Sequence, residues 1–196
     1  MSSFRLATLA TLAALLAGCG MHHPMRTGGS LQTGPAGEVT AVAHLRTPEG
    51  RPGGTVRMTE TSQGVLVVAQ VEGLGSPGPR GFHIHTAGNC RPSTDASGRM
   101  VPFGAAEGHF DPGESGRHGP PAQPPTQSHA GDMPNLPVQA DGRGSLSILN
   151  PNITLGPGPR SAMGRSVVVH DKPDDLRSQP AGDSGARVLC GVIVPA

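Results

Sequence analysis

From residue 86 to about residue 131 this chain carries glycine, proline, serine, histidine and charge, with no periodic apolar pattern. A structureless stretch of that length inside a compact domain is held by something other than a hydrophobic core, or it is not part of a domain at all. The holders are visible in the sequence: Cys90 near its start, then His109, His118, His129 and Asp132 along it. Any fold available to the chain must secure this loop by cross-linking or by polar ligation, on a scaffold supplied by the segments around it.

Those segments read as strands. Short runs rich in β-branched residues occupy 38–46, 55–61, 65–72 and 80–85 before the loop, and 136–140, 144–149, 166–170 and 187–194 after it. A second polar loop spans 171–186. No helical periodicity of useful length and no internal repeat is present. The expectation is all-β: an eight-stranded antiparallel Greek-key sandwich or flattened barrel with two long functional loops. Composition agrees, with 30 Gly, 21 Pro, no Trp and no Tyr. With Phe4, Phe82, Phe103 and Phe110 as the chain's aromatics, a domain here builds its core from Val, Leu, Ile and Ala and would gain from cross-links or metals. A net charge of +1 gives no reason to expect a nucleic-acid partner.

The histidines fall in separate short blocks. His83 and His85 alternate on a strand, so both rings reach one face. A lone His-x-His is weak, because many metal-free strands contain it. His170, closing the run Val167-Val168-Val169, can add a third nitrogen from a neighbouring strand. Imidazole-only ligation in a near-planar arrangement suits Cu(II). His118, His129 and Asp132 offer two nitrogens and an oxygen, and one more imidazole would complete a tetrahedral zinc site. His109 can be that ligand and also serve copper, one ring nitrogen to each ion, as an imidazolate. His44 has no partner motif and reads as a structural or surface histidine.

Residues 1–18 read as a targeting segment: Arg5, then an apolar or small stretch from 6 to 17, too short to span a bilayer comfortably. It ends in Leu16-Ala17-Gly18-Cys19, which resembles a bacterial lipobox and predicts lipidation of Cys19. The alternative is an ordinary secretory signal with an incidental cysteine. Residues 19–37 read as a flexible tether. Within it, Met21-His22-His23-Pro24-Met25 is a spacer or a loose copper-binding cluster. If Cys19 takes lipid, Cys90 and Cys190 remain as a pair in an oxidising compartment, closing a loop of roughly 100 residues. Asn152-Ile153-Thr154 matches a glycosylation sequon, taken here as chance.

Together Gly81-Phe82-His83-Ile84-His85, Gly108-His109-Phe110-Asp111-Pro112, His118-Gly119-Pro120, His129-Ala130-Gly131-Asp132, Val169-His170 with Asp174-Asp175, and Gly185-Ala186-Arg187-Val188-Leu189-Cys190-Gly191 resemble, in this order, the bacterial copper/zinc superoxide dismutases, here in lipoprotein form. The resemblance covers residues 38–196. It implies copper on His83, His85, His109 and His170, and zinc on His109, His118, His129 and Asp132. It pairs Cys90 with Cys190. It places Asp174 between a copper-ligand and a zinc-ligand imidazole, and Arg187 beside an open copper position. The implied activity is dismutation of superoxide to dioxygen and hydrogen peroxide, with Arg187 and His109 in the catalytic roles and His109 taking up a proton in each cycle. The implied setting is the extracytoplasmic envelope, as a monomer or homodimer that meets the membrane only through its lipid.

Two features depart from the family pattern. Lys172 and Arg177 are the only cations of the second loop, against Asp171, Asp174, Asp175 and Asp183, so steering by a ring of lysines is not evident. The run Pro120-Pro121-Ala122-Gln123-Pro124-Pro125 lengthens or stiffens the zinc loop without removing a ligand. A copper-buffering lipoprotein on the same scaffold is the alternative reading; it would need neither Arg187 nor an open copper position. A zinc-only hydrolase would need an open zinc position, which four ligands leave no room for.

Overall fold

The computed structural model describes residues 39–196. The expected signal segment, the Cys19 lipidation site, the tether with its Met/His cluster and the first residue of the first strand lie outside the described residues.

Eleven strands are present: β1 (Thr40–Arg46), β2 (Pro52–Thr61), β3 (Gly64–Val71), β4 (Gly78–Arg80), β5 (Phe82–His85), β6 (Ser93–Thr94), β7 (Met100–Val101), β8 (Leu136–Val138), β9 (Gly144–Asn150), β10 (Ser166–His170) and β11 (Arg187–Pro195). The one helical element among the described residues is a 3-10 turn at Gly104–Ala106. Nine strands form one antiparallel sheet in the order β4-β8-β9-β3-β2-β1-β11-β10-β5. Its two end strands, β4 and β5, are consecutive in the chain and separated by Gly81 alone, so the sheet curls until its ends meet. Counting β4 and β5 as one bent strand gives the expected eight-stranded flattened barrel.

All eight expected strands form, with informative differences. The 80–85 run breaks at Gly81, where a Cβ would lie 2.6 Å from the Ser184 Cβ and 3.3 Å from that of His170. The glycine is needed because the second loop passes against the barrel seam there, and Gly81 N–H donates to Lys172 O at 2.8 Å. β2 starts at Pro52, earlier than its proline and glycines suggested. Gly54 (φ 139°) brings the backbone so close to Gln70 and Val71 that a side chain would collide with them. Inside the long loop, β6 and β7 pair as a small hairpin that the sequence did not announce.

Period-two alternation sorts the side chains. Val65, Val67, Ala69 and Val71 of β3 point inward, as do Phe82 and Ile84 of β5 and Val167 and Val169 of β10, and all join one buried aliphatic core. The opposite faces of β5 and β10 are buried as well, because both long loops cover them: His83, His85, Ser166, Val168 and His170 are all buried.

The loop is also pinned covalently. Cys90 and Cys190 are bonded, with their Cα atoms 5.7 Å apart. Cys190 sits in a small second cluster with Phe103, Ala106 and Val168, against which Cys90 packs. The bridge spans 100 residues of sequence, and in the chain-entropy model it contributes about 4–5 kcal/mol. Replacing both cysteines by serine is expected to lower the unfolding free energy of the metal-free protein by about that amount. Urea titration checks it, and an unshifted midpoint contradicts it.

Candidate metal centre

On the outer, loop-covered face of β5 and β10 the sequence-predicted residues come together. His83, His85, His109 and His170 each offer one ring nitrogen to a group whose ligand atoms all lie within 4.8 Å of one another, and His109, His118 and His129 form a second such group with a carboxylate oxygen of Asp132. His109 belongs to both. It arrives through a short antiparallel bridge to His85, while Asp132 is bridged to His83. Gly131 permits that second approach: a Cβ there would lie 2.2 Å from Ile84 O.

The four-imidazole group has a clear chemical signature. His83 Nδ1, His85 Nε2, His109 Nε2 and His170 Nε2 are all buried without a hydrogen-bond partner. Burying an unpaired polar atom costs on the order of 1–3 kcal/mol. Four such atoms converging on one point is what a metal-ligand set looks like before the ion is counted. The opposite ring nitrogens are all engaged: His83 Nε2 with Asp174 at 2.7 Å, His85 Nδ1 with Glu107 O at 2.8 Å, His109 Nδ1 with Asp132 at 2.8 Å and His170 Nδ1 with Gly185 O at 3.3 Å. Three of these contacts fix the ring and leave the free nitrogen facing the shared point, as for a ligating imidazole. All-nitrogen ligation suits copper.

The second group is built around one carboxylate oxygen. Asp132 Oδ1 lies 2.8 Å from His109 Nδ1, 3.0 Å from His118 Nδ1 and 3.3 Å from His129 Nδ1. A tetrahedral ion with bonds of about 2.0 Å sets its ligand atoms about 3.3 Å apart. A carboxylate oxygen at nearly that spacing from three imidazole nitrogens fits zinc. Asp174 joins the two groups, one oxygen on His83 Nε2 and the other on His118 Nε2 at 2.9 Å. Its backbone is clamped in turn by Asn135, whose amide accepts from Asp174 N–H and donates to Asp174 O, both at 2.8 Å.

Electrostatics follow burial and pairing. Burial, reinforced by the charge of His109, lowers His83 to about 3, and burial lowers His170 to about 4. His85 and His109 are lowered for the same first reason. Burial also acts on His118, but its bonds to Asp132 and Asp174 outweigh it and raise that ring to about 9. Burial pushes both carboxyls up, yet their histidine partners win and hold Asp132 and Asp174 well below the usual carboxylate range. In the metal-free protein, rings lowered from 6.5 to about 3 or 4 contribute stability that is fully present above pH 6.5 and lost as pH falls toward those values. His118 has the opposite sign: its contribution is present below pH 6.5 and lost as pH rises through about 9. The melting temperature of chelator-treated protein is therefore expected to peak near neutrality and fall on both sides. A flat profile from neutral to mildly acidic pH contradicts this.

Arg187 is aimed at the four-imidazole group by a β-bulge. The β10–β11 register shifts between Val169 and His170, so that Val169 pairs with Leu189 but His170 pairs with Arg187. Bulges of this kind re-aim side chains beside active sites. The guanidinium donates from Nη1 to Phe103 O at 2.7 Å and from Nη2 to Glu107 O at 2.6 Å. Phe103 (φ 55°) and Glu107 (φ 65°) flank the 3-10 turn with positive φ angles that L-residues seldom adopt. Glu107 O also accepts from His85, so Arg187 and His85 share one anchor.

Several contributors had no sequence signal. Gln179 in the second loop accepts from His118 N–H at 2.7 Å and donates to His118 O at 2.8 Å, gripping that residue's backbone. Asn150 donates to Ala130 O, and Asn152 to Gln123 O within the proline-rich run. Asn152 is 7% exposed with its amide nitrogen engaged, in keeping with a chance sequon. His44 is exposed, as expected.

Comparison with known proteins points one way. The family model for copper/zinc superoxide dismutase matches residues 52–193. The chain is 42% identical over 156 residues to a Cu-Zn superoxide dismutase of Deinococcus radiodurans, covering 80% of this chain and 85% of that one. Among solved structures it resembles the Cu/Zn superoxide dismutase from Brucella abortus, with TM-score 0.69 and 33% identity over 78% of this chain and 98% of that one. It also resembles a SOD-like protein from Bacillus subtilis, with TM-score 0.63 and 28% identity over 76% and 95%.

Proposed function

The chain belongs to the copper/zinc superoxide dismutase family, and from that premise we propose that it converts two superoxide anions and two protons into dioxygen and hydrogen peroxide at the centre formed by its two joined histidine groups. The supporting observation is the set of four partnerless, buried imidazole nitrogens that shares His109 with the Asp132-centred group. When bound, copper on His83, His85, His109 and His170 supplies the one-electron redox step, and zinc on His109, His118, His129 and Asp132 holds the loop and polarises the shared ring.

The chain's own residues do the rest. Superoxide is a small anion, and Arg187 supplies a charge fixed in place by two carbonyls. Two of its five N–H donors are spent on Phe103 and Glu107, leaving others for a charge-assisted bond to the substrate. His109 Nε2 faces the copper side and its Nδ1 faces the zinc side. That ring therefore holds a proton at Nε2 between half-reactions and releases it toward the peroxide being formed. Asp174 holds His83 and His118 in position at the junction of the two groups. The lipobox-like Leu16-Ala17-Gly18-Cys19 supports a lipid-anchored, extracytoplasmic enzyme.

The test is a superoxide-consumption assay on the full chain, stripped of metal and reloaded. Activity is expected with copper plus zinc and absent with zinc alone. Tight copper binding without activity would favour a copper-buffering role instead.

A further inference from the structure

We propose that Arg165 is a positioning residue for the copper side of the centre, setting the relative placement of His85 and His109; this rests on the functional reading above. Its guanidinium carbon lies 3.6 Å from the centroid of the Phe110 ring, well inside cation–π range. Nη1 donates to Thr86 O and Nε to Ser161 O, both at 2.8 Å. Thr86 directly follows His85, and Phe110 directly follows His109. One side chain thus grips the neighbour of each ligand from outside the metal groups.

The linkage between those neighbours is tight. Thr86 N–H donates to Gly108 O at 2.9 Å, and Thr86 Oγ1 donates to His109 O at 3.1 Å. Phe110 is 2% exposed and its N–H donates to Ile84 O at 2.9 Å. Arg165 itself has a fixed base. Its N–H donates to Ala162 O and its carbonyl accepts from Ile193 of β11. It also leads directly into β10, whose Ser166 pairs with His85 and whose far end carries His170.

The zinc side has separate supports. Asp132 gathers His109, His118 and His129, and Asp174 and Gln179 hold His118 from the second loop. Arg165 touches none of these, and the shared His109 is held on the zinc side by Asp132, 2.8 Å from its Nδ1. Loss of its grip therefore acts first on the His85–His109 spacing, and cation–π plus two carbonyl bonds would be lost from an otherwise intact barrel.

The experiment uses the full chain carrying Arg165→Met, which keeps an aliphatic stem over Phe110, and Arg165→Lys, which keeps the cation. The expected result for Arg165→Met is copper binding weaker by ~10- to 100-fold, zinc binding changed by less than about threefold, and an altered Cu(II) electron-paramagnetic-resonance spectrum. Arg165→Lys is expected to return the spectrum part of the way to that of the parent. An unchanged spectrum and copper affinity would overturn the proposal. So would equal weakening of both metals with a lower metal-free melting temperature, which is the mark of simple packing loss. A parent chain that binds no copper would overturn the functional reading itself, and this inference with it.

Discussion

Arg187→Ile is expected to reduce kcat/KM for superoxide by ~10- to 100-fold while copper and zinc contents stay at those of the parent. The substrate carries one negative charge and few atoms, so orientation and attraction must come from a fixed cation rather than from shape. Arg187 is that cation: the bulge puts it opposite His170, and the Phe103 and Glu107 carbonyls stop it from swinging away. The nearby second loop offers little substitute. Its two cations, Lys172 and Arg177, are outnumbered by Asp171, Asp174, Asp175 and Asp183, and Arg177 lies 3.8 Å from Asp175. A single dominant cation has a further consequence: the parent rate should fall with ionic strength, and the variant rate should fall much less. Arg187→Lys should recover part of the rate, since it keeps the charge but not the forked geometry. Stopped-flow decay of superoxide at low and high salt measures all three. Parent-like turnover of Arg187→Ile at low ionic strength would remove Arg187 from the mechanism, provided metal analysis shows copper still bound.

Much of this was legible in sequence because the signals are local. Alternation along β3 and β5 needs only neighbouring residues to be read, and His83 and His85 share a face for that reason alone. The candidate ligand residues were legible as chemistry: imidazoles and a carboxylate have few reasons to recur in an aperiodic loop. What was not legible depends on backbone meeting backbone. The bulge that turns Arg187 toward His170 arises from a one-residue slip between β10 and β11, and nothing in Val188-Leu189-Cys190 marks it. The carbonyls that hold Arg187 belong to Phe103 and Glu107, whose side chains are irrelevant to the role. Gln179 and Asn135 act by clamping backbones far away in sequence, and an amide side chain in a polar loop carries no sign of its target. Arg165 is the same case: its partners are an aromatic face and two carbonyls, each from a different segment.

Asp174→Asn is expected to weaken copper by ~10- to 100-fold and zinc by less. The direction follows from counting protons. An imidazole that ligates through Nδ1 carries its hydrogen on Nε2. His83 and His118 both present Nδ1 to their groups and Nε2 to Asp174. Asp174 must therefore accept two N–H bonds, one at each oxygen, and Oδ1 takes a third from Leu176 N–H at 2.6 Å. A carboxylate accepts at both oxygens; an amide offers one oxygen and turns its NH2 toward the other ring. One histidine is then faced by a donor where it needs an acceptor, in a site where both side chains are fully buried. That ring must change tautomer, and so surrender its ligating nitrogen, or rotate out of place. Leu176 N–H and His118 both donate at the Oδ1 position, so the amide oxygen takes that place, the NH2 faces His83, and copper bears the larger loss. Asp174→Ala removes the conflict but also the support, and should loosen both ions without favouring one. Competition titrations with chelators for each metal give the comparison. Zinc retention unchanged in both variants would show that His118 is held by Asp132 and Gln179 alone, and that Asp174 serves copper only.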